Sequence, residues 1–233
     1  MSWKEFCLRY WNKTPFRLRW IFRYEDILVK QFDKKTQSVL DLGCGQGWRM
    51  RAIKDAQGKK ELLARSVGVD GFLPNVKFCR SHKIYDICIH GDIRKVRFKP
   101  KSFDTVLLLD VLEHLSKKDG EKILNKIEAI ARRQIIVFTP SGFQPQAKFI
   151  VDKNPLEAHM SGWSSDEMRK RGYKVRGVNG IRCLRKESAL IRFSGMMEYV
   201  ALFLSISSQP FVYFLPDFAY QMLCVKQIKG EKT

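Results

Sequence analysis

Residues 39–47 read Val39-Leu40-Asp41-Leu42-Gly43-Cys44-Gly45-Gln46-Gly47, VLDLGCGQG in one-letter code. A strand-like apolar run enters a glycine-rich turn, an arrangement that aims backbone N–H groups at a ligand when a helix follows. The dinucleotide fingerprint has glycines spaced GxGxxG after a strand. Here they fall at 43, 45 and 47 and the next residue is Trp48, so the spacing is GxGxG and that pattern fails. No GxxxxGK[ST] loop occurs anywhere in the chain. Asp41 also stands at the mouth of the turn, where a carboxylate repels a diphosphate.

A carboxylate there suits a ligand whose near end is cationic. S-adenosylmethionine carries an ammonium and a sulfonium and no phosphate. One charge pair at about 4 Å is worth roughly 4 kcal/mol before desolvation at an intermediate dielectric, enough to decide between ligands. Asp41 can also accept from N–H groups of its own turn, and the two uses are compatible.

Outward from this turn, short apolar runs alternate with helix-like ones. SVLDLG, SVGVD, YDICIHGD, FDTVLLLD and QIIVFTP read as strands, several of them apolar on both faces as buried parallel strands are. WRMRAIKDAQ, LPNVKFCRSHK and KKDGEKILNKIEAIARR lie between them, the last with Ile123, Leu124, Ile127, Ile130 and Ala131 at helical spacing. The alternation implies a doubly wound, Rossmann-like α/β sheet. A loop of about 20 residues runs from Pro140 to Trp163. Ser164 with Glu167 then forms a capping box, Gly172 stops that helix and YKVRGV follows as a strand. A helix is expected from about Glu187 to Ser207, then a proline-bounded loop and a last strand, FAYQMLCVKQ.

Acids recur at the carboxyl ends of these strands, where open α/β sheets bind ligands. Asp70 closes the second, about 27 residues after Gly43, and can accept from both ribose hydroxyls. Asp92 follows the third and can accept from an adenine amino group, with Ile93 against the ring. Asp110 ends the fourth.

VLDLGCGQG, GVD, GDI and FDTVLLLDVLEHL, in that order, resemble the class I S-adenosylmethionine-dependent methyltransferases, in the subgroup pooled under the type 11 heading. The likeness covers about residues 38–140. It implies seven strands with the last antiparallel and inserted beside the fifth. It also implies S-adenosylmethionine as cofactor, with Asp41 and the turn of Gly43, Cys44, Gly45 and Gly47 at its methionine end. Asp70 and Gly71 would then lie at the ribose, Asp92 and Ile93 at the adenine, and Asp110 near the sulfonium.

The methyl donor arrives activated, so the protein chiefly aligns the acceptor and excludes water, with a base where an oxygen or nitrogen acceptor needs one. His114, in LDVLEHL, and His159, in LEAHMSGW, are placed for that task. Glu113 can orient His114 or favour the positive end of the next helix, and Trp163 can wall the acceptor pocket or sit in the core. There is no [DN]PP[YF] after the fourth strand and no Pro-Cys nucleophile, which disfavours methylation of nucleic-acid bases. Four scattered histidines make no metal set.

The 233 residues suffice for one large domain. We divide them into a basic, aromatic N-terminal segment, 1–35, and a methyltransferase domain, 36–233, with an apolar helical insertion at 186–216. A formal charge of +19 favours anionic partners. Residues 3–23 interleave aromatic with basic side chains, a composition that suits a membrane surface, a nucleic-acid face or a helix covering the cofactor pocket. The insertion is apolar on nearly all sides from Met196 to Ile206. It reads as a lid over a greasy acceptor, with dimerisation as the rival reading.

Six cysteines without metal-like spacing, and no signal-peptide core, point to a reduced cytoplasmic protein, peripheral at the inner membrane face if lipid is the partner. The leading expectation is methyl transfer to an oxygen or nitrogen of an apolar, lipid-linked or glycan small molecule. An RNA or protein methyltransferase is the alternative, and a non-catalytic binding protein on the same fold comes third. The sequence leaves the oligomeric state open.

Overall fold

The computed structural model describes residues 24–56, 64–146, 148–186 and 191–228. Most of the basic, aromatic N-terminal segment, residues 1–23, lies outside them. Seven strands form one sheet: β1 (Ser38–Leu42), β2 (Arg65–Asp70), β3 (Ile87–His90), β4 (Phe103–Leu109), β5 (Ala131–Pro140), β6 (Lys174–Ile181) and β7 (Ala219–Gln227). Their order is β3-β2-β1-β4-β5-β7-β6. β1 to β5 pair in parallel, and β7 runs antiparallel between β5 and β6. This is the expected Rossmann-like α/β sheet, including the late antiparallel strand.

The alternation of side chains splits the core in two. Leu40 and Leu42 of β1 face one cluster and Val39 faces the other. Helix α1 (Tyr24–Gln31) supplies Leu28 to the second cluster, with α2 (Trp48–Ala56) and α3 (Leu73–Ser81) beside it. Helix α4 (Lys117–Ile130) covers the opposite face with the Ile123, Leu124, Ile127 and Ile130 stripe read from the sequence. It ends sooner than KKDGEKILNKIEAIARR suggested, because Ala131 already begins β5.

The long segment after β5 holds a short helix, α5 (Lys148–Val151), and a single turn at Pro155–Glu157. Helix α6 (Ser165–Lys170) opens with the capping box of Ser164 and Glu167. Two expectations are corrected beyond β6. Helix α7 spans Met196–Ser207 and starts later than Glu187, since Gly195 precedes it at φ +65° and Ile191 lies in a bridge to Arg185. The proline-bounded loop is a further helix, α8 (Gln209–Phe214), because Pro210 falls in its first turn, where no N–H is needed.

Helices α7 and α8 invert the usual burial. Ala201, Ser205, Gln209 and Val212 face β6 and are buried, while Met196, Met197, Tyr199, Val200, Phe203, Leu204, Phe211 and Phe214 are exposed. Gly177 and Gly180 of β6 permit the approach: a Cβ on Gly177 would lie 2.0 Å from the Val212 carbonyl oxygen, and one on Gly180 would lie 2.3 Å from that of Ser205. Gln209 ties the layers together, donating to the Gly177 carbonyl (2.9 Å) and accepting from the Gly180 N–H (3.1 Å).

Candidate active site

The carboxyl ends of β1 to β5 open on one cleft of about 1070 Å³, at the upper end for small-molecule pockets. Every cofactor-site residue expected from the sequence lines it: Asp41, Gly43, Cys44, Gly45, Gly47, Asp70, Gly71, Asp92, Ile93 and Asp110, together with His114 and His159. Six carboxyl groups face it, from Asp41, Asp70, Asp92, Asp110, Glu113 and Glu157, against the cations of Arg49, Arg94 and Lys153. An acidic cleft in a strongly basic chain suits a cationic ligand and rejects a diphosphate. No residue of α7 or α8 lines it; after β5 its wall comes from residues 146, 150 and 153–160, with Leu156 against Gly71.

The turn explains its glycines. Gly43, Gly45 and Gly47 have φ of +75°, +54° and +72°, a left-handed conformation that disfavours other residues. A Cβ on Gly45 would meet nothing within 4 Å, so the peptide faces open cleft. Asp70 at the tip of β2 fastens this turn: Oδ2 accepts from the Gly45 N–H (2.7 Å) and Oδ1 from the Phe72 N–H (2.8 Å). Cys44 tucks its thiol beneath the loop, where its Sγ and that of Cys79 both approach the Gly45 carbonyl oxygen (3.7 and 3.3 Å).

Asp41 is buried and accepts a 2.6 Å hydrogen bond from the Tyr85 hydroxyl. Burial pushes its carboxyl up to about 6, against the pull of that bond and of the Arg49 charge. Asp110 sits at φ +54°, a strained backbone for a non-glycine residue. Its carboxylate pairs with Arg49 at the start of α2 and accepts from Gln221 of β7 (3.0 Å). Asn179 of β6 bonds Gln221 in turn, so three elements fix one carboxylate. Asp92 is clasped by Arg94, whose bonds hold its carboxyl below the usual range.

His114 and His159, 45 positions apart, meet edge to face with ring centroids 4.8 Å apart. Nδ1 of His114 donates to the Ala158 carbonyl (3.3 Å) and Nδ1 of His159 to that of Gln144. Glu157 lies 3.7 Å from Nε2 of His114. Glu113 does not bond His114: its carboxyl accepts from Thr139 Oγ1 (2.9 Å), and its carbonyl accepts from the N–H groups of Met160 and Ser161, pinning the loop that carries His159. Burial, aided by Asp110, holds the Glu113 carboxyl well above its ordinary range. Trp163 is a core residue, 2% exposed, with Lys117 Nζ 3.7 Å over its ring.

Residues 40–138 match the family model described as a methyltransferase domain. That stretch carries the methyltransferase domain, and the sheet built on it has the class I S-adenosylmethionine-dependent methyltransferase fold. S-adenosylmethionine is its cofactor, and the acids, the open Gly45 peptide and the absence of a phosphate loop fit that molecule. The methyltransferase superposes on a chain of the complex between the Haloferax volcanii Trm112 methyltransferase activator and a methyltransferase, with TM-score 0.57, 17% identity and 89% of each chain covered. A SAM-dependent methyltransferase from Archaeoglobus fulgidus gives 0.53 and 16%, covering 91% of this chain and 99% of that one. Magnesium protoporphyrin IX methyltransferase from Synechocystis PCC 6803, with bound SAM, gives 0.50 and 15% over 98% of both chains. No curated protein matches the sequence.

Arg49, Tyr85, Asn179, Glu157 and Gln221 were not legible as site residues. Arg49 alone carried a signal, as a cation two positions past the last glycine of the turn.

Proposed function

We propose that this methyltransferase works at an anionic membrane surface and methylates an oxygen or nitrogen of an apolar or lipid-linked acceptor. The supporting observation is the inverted burial of α7 and α8. Met196, Phe203 and Phe214 are 84%, 59% and 68% exposed, in a patch of large apolar side chains that isolated surface residues do not make. Cations adjoin it. Arg176 lies 5.0 Å over the Tyr213 ring, and Arg185 bonds Ser205 of α7 (3.1 Å). Aromatic side chains flanked by arginine suit the headgroup region of anionic lipid. The patch adjoins the cleft through β6, where Asn179 lines the cleft and its neighbour Gly180 contacts α7. Among the described residues no helix is long and apolar enough to cross a membrane.

In this reading Asp41 and Arg49 hold the ammonium and carboxylate of the methionine end. Asp70 takes the ribose while fastening the turn, and Ile93 and Asp92 lie at the adenine. The cofactor, when bound, supplies a methyl group on a positively charged sulfur. Asp110, locked by Arg49 and Gln221, adds negative charge beside that sulfur. Leu156 and Met160 exclude water above it, and His114 and His159 stand where an acceptor proton must leave.

Flotation of the full chain with vesicles tests the membrane reading. We expect binding to phosphatidylglycerol-containing vesicles and weak binding to neutral ones. Phe203→Ser with Phe214→Ser should lower the bound fraction about tenfold or more, since each buried phenylalanine is worth about 1.5–3 kcal/mol, while cofactor affinity stays unchanged. Equal binding by the double variant contradicts the reading. A vesicle-inert protein that binds RNA with steep salt dependence supports the alternative instead.

A further inference from the structure

We propose that Glu113, His114 and His159 form a binding site for a first-row divalent cation such as zinc or manganese, placed at the acceptor end of the cleft. The proposal rests on the methyl-transfer reading and deepens it by assigning how the acceptor is activated.

The three side chains come from a single turn after β4 and from the distant loop at 159, yet their ligating atoms lie within 4.8 Å of one another. Two imidazoles and one carboxylate leave open coordination positions for another ligand. The orientation of the rings is the stronger argument. A carbonyl oxygen can only accept, so the bonds to Ala158 and Gln144 place a proton on Nδ1 of each ring. In the neutral imidazole this leaves the Nε2 lone pair free on both. Imidazole ligands are commonly fixed in this way, with the non-ligating nitrogen donating to a backbone carbonyl.

Charge points the same way. Glu113 is buried, and no lysine or arginine among the described residues pairs with it or with Glu157. Glu157, 3.7 Å from Nε2 of His114, brings a second carboxylate to the edge of the site. Thr139 bonds one oxygen of Glu113 and so holds its carboxyl in place. Ligand bonds of about 2.0–2.2 Å need the three atoms somewhat closer together than they stand, a shift that small side-chain rotations of the two imidazoles would have to supply. A cation here would bind the acceptor oxygen and lower the pKa of its O–H bond; the proton leaves to solvent and the electron pair stays on the bound oxygen.

The test is titration of the chelator-treated full-length protein with cobalt(II), read by its visible absorption and by bound stoichiometry. We expect one cobalt per chain. His114→Ala and His159→Ala should each weaken binding at least about tenfold and alter the band, and His82→Ala, on the exposed end of α3, should leave both unchanged. Calorimetry with S-adenosylmethionine on the same samples shows which variants remain folded. If His114→Ala loses cofactor binding, His159→Ala decides. No cobalt binding by the wild-type protein, or binding indifferent to both histidine variants, overturns the site. Cofactor binding retained under those outcomes leaves the methyl-transfer reading standing; loss of cofactor binding in the chelated wild-type protein counts against that reading.

Discussion

Asp41→Asn is expected to stabilise the cofactor-free protein and to weaken S-adenosylmethionine binding by about 30-fold or more. Asp41 is buried with its carboxyl raised from 3.8 to about 6. A raised acid keeps its proton in the folded state after the unfolded chain has lost it. Stability therefore falls as pH rises from about 4 to 6 and stays low above that. A shift of this size corresponds to roughly 3 kcal/mol. Asparagine carries no charge, and its oxygen can still accept from Tyr85. We expect a gain of about 1–3 kcal/mol at pH 7.5 that vanishes near pH 4, measured by denaturant melts at the two pH values. A binding loss of about 2 kcal/mol or more follows from removing the partner of the ligand's ammonium. Lower stability of the variant at neutral pH would show that Asp41 serves the turn rather than the ligand.

Gly180→Ala and Gly177→Val are expected to be the most destabilising changes in the β6 region. At Gly180 the backbone is at φ +70° and the added Cβ would meet Ser205 Oγ at 2.2 Å and its carbonyl at 2.3 Å. Both left-handed strain and overpacking apply, about 2–4 kcal/mol together. At Gly177 the obstacle is the backbone of Val212, which cannot rotate away. The loss should be at least as large, or α8 should lift from the sheet and break the Gln209 bonds to Gly177 and Gly180. Chemical denaturation gives the first quantity, and hydrogen exchange at residues 196–214 the second. Unchanged protection and stability in both variants would mean that the helices do not pack on β6 as described.

The core sheet was legible because its strands are short, apolar and punctuated by acids. VLDLG, SVGVD and TVLLLD can be little else in an alternating chain. The turn was legible through its spacing, because only glycine tolerates three left-handed positions in five residues. Helix α7 was legible as a helix apolar on nearly all sides but not in its start, and α8 was read as a loop. Which face of α7 packs was not legible, because the small residues Ala201 and Ser205 face β6 while the large apolar side chains are exposed. The pairing of His114 with His159 depends on a loop return that no local pattern encodes. Tyr85 and Gln221 reach Asp41 and Asp110 from 44 and 111 positions away.

Calorimetric titration of the purified protein with S-adenosylmethionine, NAD and ATP, repeated with Asp41→Asn, tests the central claim most directly. The claim is that an acidic cleft selects a cationic ligand. It predicts binding of S-adenosylmethionine alone, weakened in the variant. Binding of NAD or ATP with no heat from S-adenosylmethionine, or equal S-adenosylmethionine affinity in the variant, would contradict it.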